Sequence, residues 1–169
     1  EATGYGLLFF VDEMLKKKNE TIKGKKVMIS GSGNVAQYAI EKTLAFGGIP
    51  ITASDSNGFI YDAKGIDAGK LAYLMELKNV KRGRISEYAE TFGCKYFENE
   101  KPWKIPCDVA LPCAVQNELD KEDALQLVAN GCKLVAEGAN MPTTPEAILI
   151  LQKNNVLYAP GKATNAGGV

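Results

Sequence analysis

Histidine is absent from these 169 residues. That excludes Ser-His-Asp and Cys-His catalysis and every His-ligated zinc site, and no metal site is expected. Net formal charge is absent too, since 20 Lys and Arg balance 20 Asp and Glu. Neither a nucleic acid nor an anionic membrane surface is therefore indicated as a partner. No apolar run approaches the roughly 20 residues that span a bilayer. The opening Glu1 to Gly4 has neither an initiator Met nor a basic start, so a signal peptide is not expected. Cys94, Cys107, Cys113 and Cys132 form no Cys-x-x-Cys pair, and a chain of this length does not need covalent staples. They read as small buried apolar residues of a cytoplasmic protein.

What is present is an ordinary globular composition, 46% hydrophobic and 24% charged, enough for one domain over 1–169 with a sizeable core. Repeats, linkers and low-complexity tracts are lacking. The informative stretch is Val27 to Ala36. Lys25 to Ser30 is apolar and β-branched and reads as a strand. Gly31 and Gly33 follow at once. From Asn34 the apolar residues Val35, Ala39, Ile40 and Leu44 take helical spacing. A strand, a glycine turn and a helix start expose backbone N–H groups that no helical carbonyl can satisfy, at the positive end of the helix dipole. That is a diphosphate site. Gly31 permits the bend, Gly33 removes a Cβ that would hold the phosphates off, and Ala36 lets helix and strand pack closely. Asp55, closing a strand near Ile49 to Ala53, lies at the spacing where an acid meets the adenosine ribose.

The remaining pattern alternates. Helices are predicted over Tyr5–Lys18 (capped by Thr3), Asn34–Phe46, from Asp67 to about Leu77, Ile85–Phe92, Asp120–Ala129 and from Pro145. Strands are predicted at Phe59–Tyr61 (a small extra one), Cys94–Phe97, Cys107–Leu111, Lys133–Ala136 and Val156–Tyr158. The economical fold is α/β, a doubly wound parallel Rossmann-like sheet in three αβα layers. Ligands then bind beyond the carboxyl ends of the strands. Gln116, Asn117, Asn140 and Asn165 all follow strands, and amides suit a nicotinamide carboxamide or ribose hydroxyls; singly, each also fits an ordinary loop or cap.

The runs Glu1–Gly6, Gly31–Ala36, Leu111–Ala114, Gln116–Leu119, Val135–Pro142 and Ala159–Ala163 resemble glutamate dehydrogenase along essentially the whole chain, and more closely the cofactor-binding domain of the bacterial NADP-dependent type. The resemblance implies a diphosphate held on Gly31, Ser32, Gly33, Asn34 and Val35. It also implies Thr3, Ala114, Gln116 and Asn140 about the nicotinamide and its ribose, and Val169 reaching toward the amino-acid substrate. The implied reaction is reversible oxidative deamination of L-glutamate to 2-oxoglutarate and ammonia with NADP(H), by hydride transfer. The family's substrate domain, with its catalytic lysines and aspartate, has no counterpart here. Catalytic residues are therefore not expected in this chain, which reads as an excised domain, monomeric by itself, of a homo-oligomeric (family hexameric) parent. Lys162 is a candidate only in principle; a lysine on a glycine loop is usually solvated or phosphate-facing.

Cofactor choice rests on opposed signals. Asp55 accepts from a ribose 2′-OH and repels a 2′-phosphate. Ser56 donates, and Lys78, Lys81, Arg82 and Arg84 supply cations just downstream, although a solvated basic face is the simpler alternative. At about 4 Å and an effective dielectric near 20, two unit charges interact by about 4 kcal/mol, so two or three cations outweigh one carboxylate. With basic residues of the NADP-dependent type matching Lys78, Lys81 and Arg84, NADP is expected, with NAD as the alternative. The rival readings are an NAD-dependent leucine, valine or phenylalanine dehydrogenase, a non-catalytic dinucleotide-binding module, and a methyltransferase; the amides favour nicotinamide over S-adenosylmethionine.

Overall fold

The computed structural model describes the backbone of residues 2–165 and the side chains of 6–164. Its centre is a five-stranded parallel sheet in which β1 (Lys26–Ile29) lies between β2 (Ile49–Pro50) and β6 (Val109–Leu111). β7 (Leu134–Ala136) and β8 (Leu157–Ala159) continue it outward. Alternating side chains along each strand leave for opposite faces. Val27, Ile29, Val109, Leu111, Leu134 and Ala136 join one core, while Met28, Ala110 and Val135 join the other.

Helices cover both faces. α1 (Ala2–Lys16) packs on α2 (Asn34–Ala45), and Leu7, Leu8, Val11, Leu15, Ala39 and Ile40 are buried on the first face. α5 (Lys121–Ala129) packs on α6 (Pro145–Lys153) and buries Ala124, Leu127, Ala147 and Leu151 on the second, with Trp103 from a 3₁₀ turn (Pro102–Lys104). The three-layer expectation holds. Local signals act where their chemistry requires. Asp120 and Asp123 form a reciprocal capping box on α5, and Thr144 caps α6 with Pro145 at its first position. Gly47, at φ +87, follows the end of α2. Thr3 falls within α1 rather than before it; its side chain, like that of Asn165, and the whole of Val169 lie outside the described residues.

Two expectations need correction. Residues 49–55 are not one strand. The ladder to β1 ends at Ile51, whose N–H donates to the Val27 carbonyl. Beyond it the Thr52 hydroxyl accepts from Ile29 N and donates to Ile29 O, both at 2.8 Å, in place of backbone bonds. β3 (Thr52–Asp55) then turns through Ser56 and Asn57 into β4 (Gly58–Tyr61), antiparallel to it. β5 (Lys95–Glu98), expected in the parallel sheet, pairs antiparallel with β4 instead. The β3–β4 pairing follows from Ser56-Asn57-Gly58, a turn short enough to return the chain beside itself. The Phe59 and Phe97 rings stack across β4 and β5 at 4.7 Å.

The helix from Asp67 also departs. Asp67 caps it by accepting from Lys70 N, but α3 (Ala68–Met75) widens into a π turn over Glu76–Val80. The chain then passes to α4 (Ser86–Phe92), and after β8 to α7 (Gly161–Asn165).

Candidate functional site

The carboxyl ends of β1, β3 and β6 open into one cleft of about 570 Å³, lined by residues 31–35, 54–56, 100–102, 113–115 and Glu118. Its floor is the glycine turn. Gly31 has φ +89, and a Cβ there would stand 2.9 Å from the Cys113 carbonyl oxygen, so only glycine fits between β1 and the loop after β6. Its N–H is not free, since it donates to Ser54 Oγ at 2.6 Å. The open donors come next. Gly33 is the N-cap of α2 with no side-chain cap, and the first bond closing that end runs from Gln37 N to Gly33 O. The amides of Ser32, Gly33, Asn34 and Val35 have no acceptor among the described residues. Gly33 has an ordinary φ of −84, and a Cβ on it would meet nothing within 4 Å. Among the described residues, no neighbour's bulk requires glycine there.

At the β3 end, Asp55 is engaged within the fold. Its carboxylate accepts from Asn57 N and Ile85 N, both at 2.8 Å, and Lys78 Nζ stands 3.7 Å away. Its side chain is 6% exposed, so the expected ribose acceptor is held inward with its charge offset. Lys78 also donates to the Gly83 carbonyl, and Arg84 donates to Ser56 Oγ at 3.2 Å and to Asn57 Oδ1. Ser56, Lys78 and Arg84 thus gather on the β3–β4 turn. Lys81 is exposed beyond the π turn and makes no recorded bond to them.

The opposite rim is made by the loops after β6 and β7. They run side by side: Asn117 N donates to Met141 O, Leu119 N donates to Pro142 O, and Leu119 bridges Thr143. Ala114 lines the cleft, and Gln116 and Asn140 are exposed, with no partner for their side-chain amides among the described residues. Two buried carboxylates brace this rim. Glu118 accepts from the amides of Ala114 and Val115 at 2.9 and 3.0 Å, and burial pushes its carboxyl above the usual range. Glu137 accepts from Gly161 N and Thr143 N, fastening the loop after β7 to α7. Sequence reasoning places both in site loops but cannot show that they face inward. Ser54, Gln37 and Asn79 carry no sequence signal at all.

Chemically, the cleft offers neutral and cationic donors to an extended anion. Burial holds Cys113 in its wall as a neutral thiol, Lys101 is taken by Asp123 and Asp120, and Lys162 is exposed. Among the described residues no group of three His, Cys, Asp or Glu is placed to hold a metal ion, and no helix is long and apolar enough to cross a membrane.

Residues 1–169 match the model of the Glutamate/Leucine/Phenylalanine/Valine dehydrogenase family. The chain is 63% identical over its full length to a glutamate dehydrogenase of Bacteroides thetaiotaomicron. It is 60% identical to an NAD(P)-specific glutamate dehydrogenase of Xylanibacter ruminicola and 58% to an NADP-specific one of Haemophilus influenzae. It spans 38% of the length of each of these relatives. The glutamate dehydrogenase of Plasmodium falciparum superposes with a TM-score of 0.95 at 49% identity, over 99% of this chain and 36% of that one.

Proposed function

Since the chain belongs to the Glutamate/Leucine/Phenylalanine/Valine dehydrogenase family, we propose that it is the dinucleotide-binding domain of an NADP-preferring glutamate dehydrogenase. The parent reaction is the reversible conversion of L-glutamate to 2-oxoglutarate and ammonia. One observation carries the reading: four consecutive unpaired amides, Ser32 to Val35, at an uncapped helix start facing an open cleft. Such donors bind a diphosphate, and the helix dipole adds to them. The bare Gly33 lets it approach.

When bound, the nicotinamide accepts or returns a hydride. This chain's residues bind and orient. The amides of 32–35 hold the diphosphate. Ser56 and Arg84, with Lys78 behind them, meet a 2′-phosphate. The Asp55 charge that would repel it is already offset by Lys78 and two backbone donors. Ala114 and Gln116 stand on the nicotinamide side on the loop that Glu118 fixes, with Asn140 on the neighbouring loop that Glu137 fastens. Holding the ring against a substrate carbon is this domain's contribution to hydride transfer. Acid–base work on the amine falls to the rest of the parent polypeptide, since Lys101, the lysine lining the cleft, is already paired with Asp123 and Asp120.

The test is a fluorescence titration of the chain with NADPH and NADH. NADPH should bind, more tightly than NADH, with no turnover of glutamate. Binding of neither dinucleotide would overturn the reading, and turnover by the chain alone would overturn the division of labour.

A further inference from the structure

The glycine turn and the cationic arm belong to different elements, and a single side-chain contact joins them. Gln37, one turn into α2, is 3% exposed. Its Nε2 donates to the Ser32 carbonyl at 2.8 Å and to Asn79 Oδ1 at 3.0 Å, while its Oε1 accepts from Asn79 Nδ2 at 3.1 Å. Both ends of the Gln37 amide are therefore satisfied. The first bond has a geometric consequence. In a planar trans peptide the C=O and N–H point in opposite directions, so drawing the Ser32 carbonyl onto Gln37 turns the Gly33 N–H away from Gln37.

Asn79 sits in the π turn, one residue after Lys78. Single π turns inside helices are uncommon and concentrate at functional sites. Here the wide register is closed by Lys81 N donating to Glu76 O. It lets adjacent residues reach different targets, Lys78 toward Gly83 O and Asp55, and Asn79 toward Gln37.

Resting on the dinucleotide reading above, we infer that the Gln37–Asn79 amide pair is a positioning link. It sets the span between the diphosphate donors of 32–35 and Lys78, and so tunes discrimination at the ribose 2′ position. Neither residue need touch the cofactor. The pair transmits through Lys78 on one side and the Ser32–Gly33 peptide on the other.

The test uses Asn79→Ala, a change at an exposed position that leaves no buried gap. NADPH and NADH dissociation constants are measured on the native chain, Asn79→Ala, Lys78→Ala and the double variant. Asn79→Ala should weaken NADPH about fivefold and NADH by less than about twofold, within the coupling range of residues in one hydrogen-bond network. In the Lys78→Ala background, Asn79→Ala should change the NADPH-to-NADH ratio no further. A merely structural role would weaken both dinucleotides alike and would persist without Lys78; that outcome, or an unchanged ratio, overturns the inference while leaving the dinucleotide reading intact. Failure of the native chain to bind either dinucleotide overturns both.

Discussion

Two glycines two residues apart sit in different surroundings, and substitution separates them. Gly31 is fixed by the fold: its φ of +89 and the Cys113 carbonyl 2.9 Å from a built Cβ leave no room for a side chain. Gly31→Ala should cost about 1–3 kcal/mol in a denaturant melt. Gly33 has ordinary backbone angles and open space. As an N-cap change without strain, Gly33→Ala should cost no more than about 1 kcal/mol. It should still weaken NADPH binding about tenfold, the equivalent of roughly 1.4 kcal/mol of lost contact with the diphosphate. Both expectations were legible in the sequence, Gly31 for the bend and Gly33 for an approaching phosphate; what lies across each gap, the Cys113 carbonyl at one and open space at the other, was not.

Glu118 teaches the same lesson with charge. Its letter reads as a loop acid, yet burial raises its carboxyl pKa while two amides donate to it. A raised folded value means that the native state holds the proton more tightly than the unfolded chain does. Stability should therefore fall as pH climbs from about 4.3, the unperturbed Glu value, through the raised folded value, and level off above it. Glu118→Gln keeps an acceptor oxygen but cannot ionise. Urea melts across that window should show the native slope reduced in this variant.

At the scale of elements, the hydrophobic pattern gave helices and strands but not their pairing. β-branched and apolar letters through 49–55 look continuous, and the break lies in one hydroxyl. Thr52 Oγ both accepts from and donates to Ile29, letting the backbone leave the parallel sheet without stranding buried polar groups. Thr52→Val keeps the shape and removes both bonds. It should destabilise by about 2–3 kcal/mol, the penalty of unpaired buried backbone groups, read as a lowered midpoint in chemical unfolding. Pro50 shows the converse: it sits on the edge strand β2, where a missing N–H is tolerated.

For the molecule as a whole, alternation was enough to give two cores on the faces of one sheet, since Val27 and Ile29 go one way and Met28 the other. The resemblance in the runs at 31–36 and 135–142 extended that to a family. What neither could give is the second, antiparallel sheet of β3, β4 and β5, begun by a tight turn and completed by a strand from beyond α4. That annex supplies Asp55 and Ser56, and the segment leading from α3 to α4 brings Lys78 and Arg84 to it. On the proposed reading, cofactor choice is housed in a module standing outside the principal sheet, amenable to transplantation. An engineer exchanging residues 76–84 between related enzymes would disturb no central strand, but would have to carry across an amide able to clasp Gln37, or the grafted arm would arrive unmoored.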